Sequence, residues 1–240
     1  MTQPIGLRRL VLGGALIGGA WGGLQRPAVQ RADVRMGDAL RELSSPVLDR
    51  AVSGTTDLGS VYGVVGSAAV LALCGRPRSA EDTLALGTAA WVLAQTNKRF
   101  VRRQRPYETD GVRRLIRPPT GSSFPSGHAA VGVAVFATAA ERARGRRSRL
   151  FLNLVGAYVA TSRVYVGVHY PSDVLGGAGL GLILSGLWRG PVAVVGRGGI
   201  TGAARTARAV APWTLQAAAF PLGIRRRPPA QRLPDVDLAA

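Results

Sequence analysis

The stretch GSSFPSGHAAVGVAVF, residues 121–136, sets a short polar run directly against small apolar residues. The alanine-rich part reads as a helix, and Ser126 stands where an N-cap belongs. A helix that starts there turns free backbone N–H groups and the positive end of its dipole toward PSGH, residues 125–128. His128 lies in that first turn. It is one of two histidines in the chain, the other being His169. Two readings fit the tetrapeptide alone. One is an ordinary helix start. The other is a phosphate site with a proton carrier beside it.

Apolar runs of the same kind recur along the 240 residues. They cover 10–25, 58–75, 83–97, 127–140, 150–162 with an extension past Arg163 to about 170, and 174–188. Most fall short of the roughly 18 residues that identify a membrane span alone. Any one of them also fits a buried helix of a soluble protein. Together, in so short a chain and separated by arginine clusters, they predict an all-α fold. It is an integral-membrane bundle of about six transmembrane helices. Runs such as GGALIGG (13–19) and GGAGLG (176–181) suit close helix packing in a bilayer. The first run also has the order of a secretory signal. No clean small-x-small cleavage site follows it, which favours a retained helix.

Three parts are expected. Residues 1–50 hold the first span and an interfacial segment, 51–190 the membrane core, and 191–240 a disordered basic cytoplasmic tail that includes RRRPP at 225–229. Residues 26–57 read as one polar, partly amphipathic helix, with Met36, Leu40, Leu43 and Val47 at helical spacing.

Hydrophobic residues make up 47% of the chain and charged residues 18%, with a net charge of +18. A basic balance also suits nucleic acid. Here the arginines fall between apolar runs, and no zinc-finger or RNA-binding signature appears, so a nucleic-acid partner is not expected. Lys98 is the single lysine among 31 basic residues. The arginine excess looks like a coding bias, so an arbitrary arginine says little and the lone lysine draws notice. Cys74 is the only cysteine, which rules out an internal disulfide and a cysteine-based metal site. A cysteine-phosphatase loop needs an arginine about six residues on, and position 80 is Ala. Cys74 is therefore expected to be a buried apolar residue.

The loop ERARGRRSR (141–149) is short and strongly basic, hence cytoplasmic. Both termini and loop 75–82 then lie inside, and loops 26–57, 98–126 and 170–173 outside. The arginines of 98–117 conflict with that orientation unless several of them build a site.

Three places on the predicted outer face carry chemistry. In KRFVRRQRP (98–106), Lys98, Arg102 and Arg105 recur at i, i+4 and i+7, one face of a helix, while Pro106 marks its end. That stripe also fits charges binding lipid headgroups. The second place is PSGH. The third is SRVYVGVHYPSD (162–173). Arg163 sits near the end of an apolar run, where an unpaired charge is costly. Asp173 can hydrogen-bond one ring nitrogen of His169 and leave the other free to attack. Either histidine alone also fits a side chain satisfied by a backbone carbonyl.

K-x6-RP (98–106), PSGH (125–128) and SR-x5-H-x3-D (162–173) together resemble the three signatures of the type 2 phosphatidic acid phosphatase family. That family also includes bacterial acid phosphatases and vanadium haloperoxidases. All three match without substitution and in order. The resemblance implies that His169 is the nucleophile and forms a phosphohistidine, and that Asp173 orients it. It implies that His128 protonates the leaving oxygen and later helps activate water. Lys98, Arg105, Arg163, Ser126 and the Gly127 N–H would hold the phosphoryl oxygens, with Arg102 and Arg103 adding field. No metal and no cofactor are implied. The expected activity is a lipid phosphate phosphatase in the cell membrane, its site facing outside. Its substrates would be polyprenyl diphosphate, phosphatidic acid or phosphatidylglycerol phosphate. Transfer of the same group to an alcohol, and a headgroup-binding protein without turnover, are the alternatives.

Overall fold

The computed structural model describes residues 5–189, 192–203 and 205, all in helices and their connections, with no strand among them. The helices are α1 (Ile5–Gly23), α2 (Pro27–Arg41), α3 (Pro46–Thr55), α4 (Val61–Leu73), α5 (Pro77–Asn97), α6 (Pro106–Thr109), α7 (Gly127–Arg142), α8 (Arg146–Tyr165) and α9 (Pro171–Leu187). A 3-10 turn, Thr56–Gly59, joins α3 to α4. The all-α expectation holds, and each of the apolar runs lies in one of the longer helices.

Several details differ from the sequence reading. Residues 26–57 are not one helix. Ser45 caps α3 by accepting from the Leu48 N–H at 3.2 Å, and Pro46 cannot continue a helix from before it. Lys98, Arg102 and Arg105 do not share a helical stripe. Helix α5 stops at Asn97, residues 101–105 form no helix, and Arg105 itself is extended, because the residue before Pro106 avoids the helical region. Arg102 is exposed while Arg105 is fully buried. Cys74 is exposed, not buried, since it lies at the outer turn ending α4. Residues Val192–Ala203 are helical where a disordered tail was expected. RRRPP and the rest of 206–240 lie outside the described residues.

Helix α7 is central and packs against α5, α8 and α9, while α1 covers α9 and α4 covers α5. The contact surface is built from small residues. Ala90, Ala94, Ala129, Ala130 and Ala134 are wholly buried. The glycines of α9 serve two neighbours. A Cβ on Gly177 would stand 2.2 Å from the Ser126 carbonyl oxygen, and one on Gly181 2.6 Å from that of Ala130. Gly179 makes the corresponding approach to Gly13 of α1, at 2.6 Å from its carbonyl oxygen. Gly177→Ala would therefore push α9 off the start of α7. We expect it to lower the melting temperature and to cut turnover at the site described below by at least about 10-fold, since a displacement near 1 Å is costly for positioned groups. Thermal unfolding and activity of the purified variant check this.

Among the described residues no single helix is long and apolar enough to cross a membrane. Two bent pairs are, Pro46–Gly59 with Val61–Leu73 and Pro171–Leu187 with Val192–Ala203. The helices are nonetheless apolar on their outside. Leu12, Val65, Leu73, Trp91, Leu93, Phe151 and Leu154 are all exposed.

Candidate active site

The ends of α5, α7, α8 and α9 bring the three signature stretches to one end of the bundle. Lys98 is the C-cap of α5. Ser126 is the N-cap of α7 and accepts from the Ala129 N–H at 3.4 Å. Its own N–H donates to the Asp173 carbonyl at 3.0 Å, which ties the start of α7 to the start of α9. Arg163 lies in the last turn of α8. Beyond it Gly167 takes φ +76°, a left-handed conformation that suits glycine at a helix end. The chain doubles back there, and the N–H groups of Val168 and His169 both donate to the Arg163 carbonyl at 3.2 Å. Pro171 then opens α9, and the Tyr170 N–H donates to Asp173 Oδ2 at 2.8 Å.

His169 is 2% exposed and its two nitrogens face different partners. Nδ1 is 3.6 Å from Asp173 Oδ2, longer than a hydrogen bond. The Ser123 hydroxyl bridges the gap. It lies 3.4 Å from Nδ1 and donates to Asp173 Oδ2 at 2.5 Å. Ser123 therefore accepts from an Nδ1–H, so the lone pair is on Nε2. That nitrogen lies 3.4 Å from Arg105 Nη1. Burial pushes the imidazole pKa down to about 3, which keeps it neutral and nucleophilic at neutral pH. The expected direct bond from Asp173 to His169 is thus a two-step chain through Ser123.

Three cations gather at this end, and one of them, Arg105, lies against Nε2. Arg105 is fully buried, its guanidinium donating to the carbonyls of Val168 at 2.9 Å, Gly121 at 3.2 Å, and Thr120 and Ser122 at 3.3 Å. Arg163 is 1% exposed and donates to Thr56 Oγ1 at 2.9 Å, while its buried Nε has no hydrogen-bond partner among the described residues. The Lys98 ammonium makes no hydrogen bond or ion pair among the described residues. Desolvation by burial, then the nearby Arg105 charge, brings its pKa down to about 8.

His128 is held from the 3-10 turn. Asp57 Oδ1 lies 3.4 Å from His128 Nε2 and 3.6 Å from Arg163 Nη1. The hydrogen bond from His128 holds the Asp57 carboxyl below the usual carboxylate range. Asp173 Oδ1 accepts from Arg103 at 2.6 Å, and Arg103 reaches on to Asp33 Oδ2 of α2 at 2.7 Å while stacking 4.1 Å over the Tyr170 ring. Asp33 also accepts from the Ser172 N–H at 2.8 Å.

All eight residues singled out in the sequence therefore lie at this end. Reading the sequence missed Asp33, Asp57, Thr56 and Ser123, and underweighted Arg103. Asp33, Thr56 and Asp57 lie 70 or more positions from their partners in a segment with no motif. Ser123 was visible, inside the same GSSFPSGH stretch. Among the described residues no group of three His, Cys, Asp or Glu is placed to hold a metal ion.

Residues 82–191 match the model of the PAP2 superfamily. A decaprenylphosphoryl-5-phosphoribose phosphatase of Mycobacterium tuberculosis is 40% identical over 119 residues, 47% of this chain and 64% of that protein. An undecaprenyl-diphosphatase of Sulfolobus acidocaldarius is 33% identical over 129 residues, 53% of this chain and 62% of that protein. The chain thus spans somewhat under two thirds of the length of these relatives. In fold it is similar to the crystal structure of a transmembrane PAP2 type phosphatidylglycerolphosphate phosphatase from Bacillus subtilis. The TM-score is 0.59 at 24% identity, over 77% of this chain and 94% of the other. The segment that matches the PAP2 superfamily model is somewhat under half of the chain, and it contains every signature residue from Lys98 to Asp173.

Proposed function

We propose that the protein is a membrane-embedded phosphatase that removes a terminal phosphate from a lipid through a phosphohistidine. One observation carries this reading: a buried His169 whose Nε2 lies 3.4 Å from Arg105 Nη1 and feels the Lys98 charge, at the same end of the bundle as a buried Arg163 whose Nε has no partner among the described residues. A phosphoryl group placed there meets a nucleophile and three cations, the positioning and charge neutralisation that phosphoryl transfer requires.

In the first step His169 Nε2 forms a bond to phosphorus as the bond to the leaving oxygen breaks. His128, steadied by Asp57, gives that oxygen a proton. In the second step water attacks the phosphohistidine and gives its proton back to His128, and inorganic phosphate leaves. Asp173, through Ser123, holds the Nδ1 proton of His169 and balances the charge gained in the first step. Lys98, Arg105, Arg163, Ser126 and the N-terminus of α7 hold the oxygens.

The lipid part of the reading rests on the many large apolar residues exposed along the helices, and on relatives whose names specify polyprenyl-linked phosphates. A polyprenyl phosphate or diphosphate is the substrate class these favour. The site would face outside the cell, with loop 141–149 and both termini in the cytoplasm.

Because the cations replace a metal in this scheme, activity should persist in EDTA, and vanadate should inhibit by occupying the phosphoryl position. Loss of activity in EDTA that Mg²⁺ restores would overturn the scheme. The low Lys98 pKa gives a further expectation. A raised pH removes this proton first, so kcat/KM should fall above about pH 8 as Lys98 becomes neutral. Lys98→Arg should keep activity within about 10-fold and carry that fall to higher pH. An alkaline limb that does not move in Lys98→Arg would assign it to another group.

A further inference from the structure

At the end of the bundle opposite the site, a cavity of about 680 Å³ opens between α5, α7 and α8. Its lining residues on α7, Val135 to Arg142, lie about 10 to 21 Å along that helix from His128, at 1.5 Å per residue. Its walls have two chemistries. Leu86, Val135 and Leu152 line the apolar part. Arg76, Arg142 and Arg144 line the polar part, with one carboxylate, Asp82. That carboxylate is already neutralised. Oδ2 accepts from Arg142, and Oδ1 accepts from Trp188 Nε1 and from Arg197 Nη1, both at 2.8 Å. Arg76 and Arg144 make no ion pair or side-chain hydrogen bond among the described residues. Thr138, 5% exposed, also lines the cavity, and its hydroxyl is buried with no hydrogen-bond partner. A buried hydroxyl without a partner costs about 1–3 kcal/mol, so an occupant able to bond it is favoured.

We propose that this cavity is a second, non-catalytic phosphate site, which takes the phosphodiester headgroup of an anionic phospholipid. Arg76 and Arg144 pair with the phosphate, Thr138 bonds one of its oxygens, and the apolar wall receives the first part of an acyl chain. The volume is in the range of small-ligand sites, about 300–1,000 Å³. On the topology proposed above the lipid comes from the cytoplasmic leaflet, whose anionic headgroups attract clustered basic residues. Binding itself requires neither that topology nor turnover at His169.

The test uses the full chain in a neutral detergent and reads its melting temperature. Dihexanoyl phosphatidylglycerol, a phosphodiester with no terminal phosphate to remove, should raise it by at least about 3 °C at saturation. The His169→Ala protein should show the same rise. Arg76→Gln/Arg144→Gln should lose more than half of it while still releasing phosphate from substrate, and Thr138→Val should reduce it without a change in volume. Dihexanoyl phosphatidylcholine should give little. A rise that is equal in the double variant, or equal with phosphatidylcholine, would overturn the site. Inorganic phosphate that reproduces the full rise would keep the phosphate site and assign it to a soluble anion.

Discussion

His169→Ala is expected to lower phosphate release by at least about 10⁴-fold and to remove any phosphoenzyme. Groups that act as one catalytic unit lose nearly everything when the nucleophile goes. The argument rests on how little else at the site can take its place. Ser123 and Ser126 are buried but are committed, one to Asp173 and the other to the N-cap of α7. His128 is held toward Asp57. The cations remain in the variant, so lipid phosphate should still bind with KM little changed. A rapid quench of wild-type protein with ³²P-labelled substrate, followed by alkaline isolation, should yield labelled protein, and the variant should yield none. A variant that retains more than a few per cent of wild-type turnover would show that another group attacks phosphorus.

Asp173→Asn is the second large effect, and it should appear in two quantities at once. The carboxylate is wholly buried and accepts from Arg103, Ser123 and the Tyr170 N–H. An amide keeps the shape but loses the charge, and one of its two ends becomes a donor facing a donor. Breaking a buried pair in this way costs about 3–5 kcal/mol. Arg103 keeps Asp33, so the low end of that range is expected here. The Ser123 bridge would also lose its acceptor, which frees His169 to take the other tautomer. A tautomer error of this kind lowers turnover by up to about 10⁴-fold. Asp33→Asn is the control. It weakens the same Arg103 anchor without touching Ser123 or His169, so it should lower the melting temperature while leaving kcat within about 10-fold. If Asp33→Asn reduced kcat as severely as Asp173→Asn, the tautomer argument would fail.

Much of this site was legible because its parts are local patterns. PSGH announces its own helix start, and the spacing of His169 and Asp173 sets the carboxylate one helical turn beyond the imidazole. The helices were legible for the same reason, since each apolar run maps onto one. What was not legible depends on which surfaces meet. Nothing in the spacing of residues 26–57 says that Asp33 will reach Arg103, or that Thr56 and Asp57 will meet Arg163 and His128. These contacts exist only once α2 and the 3-10 turn have packed over the ends of α8 and α9. The Lys98–Arg105 stretch shows the opposite error. Its residues keep helical spacing, but the end of α5 and Pro106 leave Arg102 and Arg105 outside any shared helix, and Arg105 reaches the site from a loop caged by carbonyls. Cys74 misled because residue type alone favours burial, whereas its place at the end of α4 exposes it.

The central claim is that a lipid phosphate is hydrolysed at His169 without a metal. The most direct measurement is phosphate release by the purified, detergent-solubilised protein in EDTA. Its substrates would be a polyprenyl phosphate, a polyprenyl diphosphate, phosphatidic acid, phosphatidylglycerol phosphate and a soluble phosphoester. The account predicts release from at least one lipid at a kcat/KM well above that for the soluble ester, and a polyprenyl substrate at the head of the ranking. Release from the soluble ester alone, or from no phosphoester at all in the presence of EDTA, would contradict it.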